Sequence, residues 1–252
     1  MTTITDSRTL TERAVAACAD RALHAATSMG RPHRVDPDLA VTWQGDRGIF
    51  TNLAYVLDEP DDWEDLLTRV EGVVPAGRPA TLVATGPTPD LGHRGWHLVG
   101  HPPLMVRPAG GAGPIVPAEL TVVEVVDEVG LEVFERTLVD GYPDPQLQPY
   151  RFGSVHDGRI LGGPTRLFTG TVGGRPTATA MGHVAHGVNV VEMVATVSTG
   201  RGRGYGAAVT WRAGTVDPTL PAVLFASDLG RPVYERLGYL ACSRWTIWHR
   251  PA

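Results

Sequence analysis

The residues best suited to do chemistry lie in one stretch, Ser198-Thr199-Gly200-Arg201-Gly202-Arg203-Gly204-Tyr205-Gly206-Ala207. Glycines alternate at 200, 202, 204 and 206, with arginines between them. The apolar run Val190 to Val197 leads in, and a helix-compatible pattern leads out. Such a loop turns sharply and presents backbone N–H groups, while the helix behind it points its positive end at the same spot. Nests of this kind attract phosphate oxygens. Arg201 and Arg203 add charge and planar donor forks unless they lie over the surface. A plain strand-to-helix turn would need fewer glycines than this.

Four ligand chemistries compete for such a loop. Gly202 to Ala207 fits the dinucleotide pattern G-x-G-x-x-[G/A], with Asp228 as a ribose partner, but that fold needs several further βα units and only 45 residues follow Ala207. A nucleoside triphosphate loop would end in Gly-Lys-Ser/Thr, a triplet the sequence lacks. Glycine–arginine alternation also occurs in RNA-binding tails, but this one sits between a strand and a helix in an acidic chain. The pyrophosphate of coenzyme A remains.

Outside the loop, Glu192 alternates with Val194 and Thr196 on the preceding strand, and a carboxylate in so apolar a run needs a partner or a task. It is the candidate general base; the alternative is a pairing with an arginine such as Arg166. His183 and His186 are potential proton shuttles or plain strand residues. His93, His97 and His101 are four apart, which would align them on a helix, yet Gly95, Gly100 and Pro102 oppose one, so no metal site is expected.

These groups need elements to hold them. Leu10 to Met29 reads as a helix ending at Gly30, and Asp61 to Val70 as a second. Strands are expected at Leu39 to Trp43, Gly48 to Val56, Ala80 to Thr85, Trp96 to Val99 and Leu104 to Arg107. The run Pro108 to Pro117 has no periodicity and reads as a linker. Beyond it come a strand at Leu120 to Val126, a helix at Glu128 to Val139, and strands at Thr165 to Val172, Pro176 to Val184 and Asn189 to Val197. Gly173-Gly174 marks a hairpin. A helix at Tyr205 to Gly214, a strand at Ala222 to Ser227, a helix at Arg231 to Leu237 and a strand at Cys242 to Trp248 follow. The fold class is mixed α/β, with a domain at 1–110, a linker at 111–117 and a second domain at 118–252.

The bulk properties set limits on partners. The 252 residues are 42% hydrophobic and carry a net charge of −5 with signs mixed along the chain, so the basic face that nucleic acid requires is missing. Cys18 and Cys242 are too few for a disulfide framework and fit a reducing compartment. The first residues lack a charged-then-apolar leader, and no run of about 18 apolar residues occurs. A cytoplasmic protein without membrane contact is expected, and a homodimer is compatible with the sequence.

Arg201-Gly202-Arg203-Gly204-Tyr205-Gly206 resembles the pyrophosphate loop [Q/R]-x-x-G-x-[G/A] of the GNAT superfamily of acyl-CoA-dependent N-acyltransferases, and Tyr234-Glu235-Arg236-Leu237-Gly238-Tyr239 is similar to that family's second signature, Y-x-x-[LMI]-G-[FY]. The resemblance covers residues 118–252. It implies a largely antiparallel central sheet with flanking helices and acetyl-CoA as co-substrate, with no metal. It also implies that Val194, Ala195 and Thr196 offer backbone groups to the pantetheine arm, the N–H of Ala195 or Thr196 holding the thioester oxygen, while Gly202 to Ala207 cradle the pyrophosphate. Tyr234 stands where the family places its thiolate proton donor, a role open to a phenol of pKa about 10; a core aromatic would suit the same position. Ser227 replaces an asparagine that contacts the coenzyme and can still donate one hydrogen bond.

The first half is faintly similar to the family's closing portion without a glycine cradle, which implies a smaller, degenerate sister domain. The activity implied is acetyl transfer to a primary amine of a small molecule or peptide, the alternative being a coenzyme-A-binding regulator without turnover. Tyr142, Tyr150, Phe152, Asp140, Asp144 and Asp157, in or beside the segment from Gly141 to Leu161, would suit a cationic amine with an apolar body.

Overall fold

The computed structural model describes residues 9–45, 51–142, 148–153 and 155–252. Helix α1, Leu10–Ser28, starts at a capping box in which the Glu12 N–H donates to the Thr9 hydroxyl and the Thr9 N–H to the Glu12 carboxylate. Strands β1 His33–Val35, β2 Leu39–Thr42 and β3 Leu53–Val56 follow, then α2 Trp63–Glu71, β4 Ala80–Ala84, β5 His97–Gly100 and β6 Pro103–Arg107. After the irregular segment 108–117 come β7 Leu120–Glu124, α3 Glu128–Gly141, β8 Thr165–Val172, β9 Arg175–Ala185, β10 Val188–Thr196, α4 Tyr205–Ala213, β11 Ala222–Phe225, α5 Arg231–Arg236, β12 Leu240–Arg244 and β13 Thr246–Arg250.

Two mixed sheets result. One runs β1-β2-β3-β4-β13-β5, the other β7-β8-β9-β10-β11-β6-β12. Both use the same plan: antiparallel strands, then one parallel pair joined through a helix (β3-α2-β4 and β10-α4-β11), then two antiparallel strands. In each sheet the strand next to the parallel pair comes from the other side of the 108–117 segment. β6 inserts between β11 and β12, and β13 between β4 and β5.

The single strand expected at Cys242 to Trp248 is therefore two strands in different sheets, parted at Trp245. This fully buried indole packs edge-on to Phe225 at a centroid distance of 4.1 Å, and its backbone N–H donates to the Pro102 carbonyl where the two crossing segments meet. The run Cys242-Ser243-Arg244-Trp245-Thr246-Ile247-Trp248 is uniformly β-prone, so no local signal marks the handover.

Helix α1 lies between the sheets. Ala14, Ala17, Cys18 and Ala22 pack with Ala40, Leu53, Tyr55 and Val83 of one sheet and with Leu104, Val188, Val190 and Val223 of the other. Small side chains around the helix let both sheets approach it. The expected linker is not a free tether: Arg107, with its guanidinium 4.2 Å from the Trp211 ring centroid, donates to the carbonyls of Gly110 and Gly214, and so ties the segment to α4. Among the described residues, no helix is long and apolar enough to cross a membrane.

The exchange predicts that the halves do not fold apart. A chain of residues 118–252 lacks β6, which leaves β12 without a partner strand and β11 bonded to β10 alone. It should show no cooperative thermal transition by circular dichroism, whereas the full chain melts as one unit.

Candidate active site

The site is built on the parallel pair of the seven-stranded sheet. β10 and β11 are in register only at Asn189↔Ala222 and Val190↔Val223, although the strands run on to Thr196 and Phe225. Beyond Val190 they part, and the edge of β10 that faced β11 loses its strand partner. On its other edge β10 stays with β9, but the register shifts between Glu192 and Ala195. Met193 takes φ +53° there, unusual for a residue with a Cβ, and its carbonyl accepts from the Thr179 hydroxyl at 3.0 Å. The bulge re-aims the backbone of Val194, Ala195 and Thr196 at the mouth of the splay.

A 3₁₀ turn, Ser198–Gly200, then carries the chain into the glycine loop. α4 opens at Gly204, whose φ of +83° suits glycine, and no side chain caps its first turn. The N–H groups of Tyr205, Gly206 and Ala207 precede the first intrahelical bond, from Ala208 N–H to the Gly204 carbonyl, and point out of the helix end. Gly206 faces the strand so closely that a Cβ would lie 2.9 Å from the Thr196 hydroxyl. Unsatisfied donors, a positive helix end and an opened strand edge thus converge.

The two arginines divide. Arg201 donates to the carbonyls of Thr196 at 3.1 Å and Gly141 at 3.2 Å, pinning the end of β10 to the end of α3. Arg203 is exposed at the loop rim, where it is free to reach a phosphate. The Tyr205 side chain is buried and donates to the Glu119 carboxylate at 2.9 Å, so that only its backbone can serve a ligand. The Ser227 hydroxyl is exposed and accepts from the Gly230 N–H at 3.2 Å, a turn bond that leaves its proton available.

Tyr234 sits on α5 against Tyr239, with ring centroids 6.1 Å apart. Burial first, then the neighbouring Tyr239 and Tyr142 phenols, push its ionisation above the ordinary tyrosine range. The phenol therefore keeps its proton at neutral pH. Tyr142, at the end of α3, lies near enough to add to this shift, a proximity that the sequence did not flag.

Glu192 does pair with an arginine, but the partner is Arg21 and not Arg166. Arg166 pairs with Glu124 at 3.3 Å, while Glu192 meets Arg21 of α1 at 2.7 Å. His183 is turned toward α1: its ring bonds the Thr165 hydroxyl at 2.9 Å and the Asp20 carboxylate of α1 at 2.8 Å, and His186 lies 3.9 Å from Asp20. His93 pairs with Glu64, and no cluster of three metal-ligating side chains occurs among the described residues. Asp157 is engaged by Arg159, Asp140 and Phe152 are exposed, and Asp144 falls outside the described residues.

The segment beside the site is anchored by Glu135. This buried carboxylate of α3 accepts from the N–H groups of Gly153, Val155 and His156. In the first sheet no comparable opening exists. β3 and β4 stay in register over Leu53↔Thr81, Ala54↔Leu82, Tyr55↔Val83 and Val56↔Ala84. The N-terminus of α2 is capped by its own Asp62, with Glu64 and Asp65 in the first turn, which repels phosphate.

No protein-family model matches the sequence, and no curated protein matches it. Solved structures do. A GCN5-related N-acetyltransferase from Kribbella flavida superposes with a TM-score of 0.72 at 22% identity, over 98% of this chain and 97% of that one. A GCN5-related N-acetyltransferase-like protein from Streptococcus suis gives 0.54 at 16% identity over 93% and 98%, and a GCN5-related N-acetyltransferase from Sphaerobacter thermophilus gives 0.50 at 14% over 96% and 92%. The chain has the fold of the GCN5-related N-acetyltransferases. Its strand plan occurs twice, once in each sheet, and among the described residues the parallel pair parts early only in the second copy.

His156 provides a pH test of this region. Burial, then the Arg21 charge, hold its ring at about 3, against about 6.5 in an unfolded chain. Between those values the unfolded state binds a proton that the native state refuses, so stability falls as pH falls. Going from pH 7 to 5 should cost about 2 kcal/mol through this group. Chemical denaturation of wild type and His156→Gln at both pH values checks this, with a smaller drop expected in the variant.

Proposed function

We propose that the chain transfers an acetyl group from acetyl-CoA to a primary amine of a small molecule or peptide. One observation carries the reading: the second sheet alone combines a splayed parallel pair, a bulge at Met193 and an uncapped glycine-led helix end. Those features supply what a nucleotide-tailed thioester needs, namely N–H donors for a pyrophosphate and a bare strand edge for an amide-bearing arm. The fold shared with N-acetyltransferases points the same way.

In this reading the N–H groups of Gly204 to Ala207 and the Arg203 guanidinium bind the pyrophosphate, and the backbone of Val194 to Thr196 aligns the arm and polarises the thioester carbonyl. Acetyl-CoA supplies the activated carbonyl. Glu192 takes one proton from the incoming ammonium, directly or through water, and releases it to solvent. The free amine attacks, the C–N bond forms and the C–S bond breaks. Tyr234 gives its proton to the departing thiolate and regains one from the nitrogen, which must lose its second proton to become an amide. A phenol that is neutral throughout the physiological range is suited to that step.

Thermal melting with acetyl-CoA tests the cradle, because a ligand that binds only the folded state raises the Tm. A saturating shift is expected for wild type and little or none for Gly204→Val, whose side chain is strained at this φ and obstructs the helix end. Detection of free CoA over a panel of amines then tests turnover. Tyr234→Phe should keep the shift and lose kcat roughly 10²-fold. Binding without CoA release from wild type would instead indicate a coenzyme-sensing protein.

A further inference from the structure

The face of β10 opposite α4 is shared: α3 packs on its Ala195 end, and α1 of the first half packs on its Val190 end. Val190 packs into the core around α1, Val191 into the core around α4, and Glu192, the last residue paired to β9 before the bulge, again turns toward α1. There its carboxylate lies 2.7 Å from Arg21, with 3% of the arginine side chain exposed and 18% of the glutamate. The guanidinium is thus sealed, while the carboxylate keeps a partly open edge.

Two of the groups around this pair come from the first half. Tyr55 of β3 hydrogen-bonds Arg21, and Cys18, one turn back on α1, lies near Glu192. Burial holds both the Cys18 thiol and the Tyr55 phenol well above their ordinary ranges, so both remain neutral beside the pair. His183 is committed to Thr165 and Asp20, and His156 is held neutral by burial. Arg21 is the one cation paired with Glu192 among the described residues. A buried guanidinium held by Tyr55 on one side and meeting Glu192 on the other restricts the carboxylate rotamer more than a solvated lysine would.

We propose that Arg21, from the half that has no cradle, is a positioning residue for acyl transfer in the other half. It fixes the Glu192 carboxylate at the bulge where the acceptor amine arrives. The first half is in this sense part of the catalytic apparatus, although none of its side chains touches the reacting atoms. The inference rests on the acyl-transfer reading and assigns it a dependence that the loop and the sheet alone do not contain.

The test compares Arg21→Met, Arg21→Lys, Glu192→Gln and the double variant Arg21→Met/Glu192→Gln by acetyl-CoA thermal shift and by steady-state CoA release. Arg21→Met should retain the acetyl-CoA shift and its KM, and lose kcat at least tenfold. Arg21→Lys should recover part of that loss. Glu192→Gln should lose as much, and adding Arg21→Met to it should change kcat little, because the two residues act through one carboxylate. Wild-type kcat in Arg21→Met, or losses that multiply in the double variant, would overturn the assignment. Should Arg21→Met fail to fold, Arg21→Lys carries the same comparison: a severalfold drop in kcat supports the proposal, and an unchanged kcat refutes it. If wild type turns over no amine, the acyl-transfer reading falls and this assignment with it; if wild type turns over and the Arg21 variants match it, this assignment alone falls.

Discussion

An interior strand of a sheet must have both of its edges bonded, and this chain meets that demand by trading strands between its halves. β6 satisfies β11 and β12, and β13 satisfies β4 and β5, so each sheet contains a strand whose own sequence neighbours lie in the other. The crossing at Pro102 and Trp245 is buried and hydrogen-bonded, which leaves the two sheets little freedom to separate. α1 completes the constraint. An alanine-rich helix can sit between two sheets at close range, and a bulkier one would force them apart at a cost of about 1–3 kcal/mol per overpacked position. The ligand site depends on this mutual bracing.

Within the shared plan, opening or closing a parallel pair depends on a few residues. In the first sheet the Asn52 side chain binds the Gln44 N–H and the Pro79 carbonyl beside the pair, whose register stays unbroken through four positions, and Asp62 occupies the helix end. In the second sheet the register lasts two positions, the bulge turns β10 away, and Gly204 supplies no side chain to the helix end. The same backbone topology thus gives a closed structural unit or a donor-lined cleft. Charge reinforces the difference, since Asp58, Glu59, Asp61, Asp62 and Asp65 crowd the N-terminal end of α2 and would repel a phosphate.

Much of this was legible because its causes are local. The glycine loop announces itself by composition, the bounds of β8 and the start of α4 agree with the sequence reading, and Gly173 and Gly174 form the expected hairpin at φ +56° and +76°. What depends on distant partners was not legible. Nothing near Arg107 shows that its strand joins β11, and nothing near Trp245 shows a change of sheet. The bulge at Met193 left no trace because a methionine there carries no turn signal. Arg21 left a faint one, as a lone arginine on the stripe of Ala14, Cys18 and Ala25 along α1. Tyr205 could be read as a loop residue, but not as one whose phenol is spent on Glu119.

That stripe bears on why the buried pair exists at all. Removing a guanidinium and a carboxylate from water costs several kcal/mol per ion, and close contact returns that only in part, so an apolar pair of similar size would hold α1 to β10 as well or better. The packing around it is already complete, with Ala17, Ala22, Val188 and Val190 on either side. Stability therefore does not account for Arg21. A charge at Glu192 does: a carboxylate on the bulge cannot be left beside a neutral thiol and phenol without a counter-ion, and α1 meets its buried side. The first half supplies that ion from the same helix that seats the two sheets, which makes the bracing of the fold and the charge at the bulge a single arrangement.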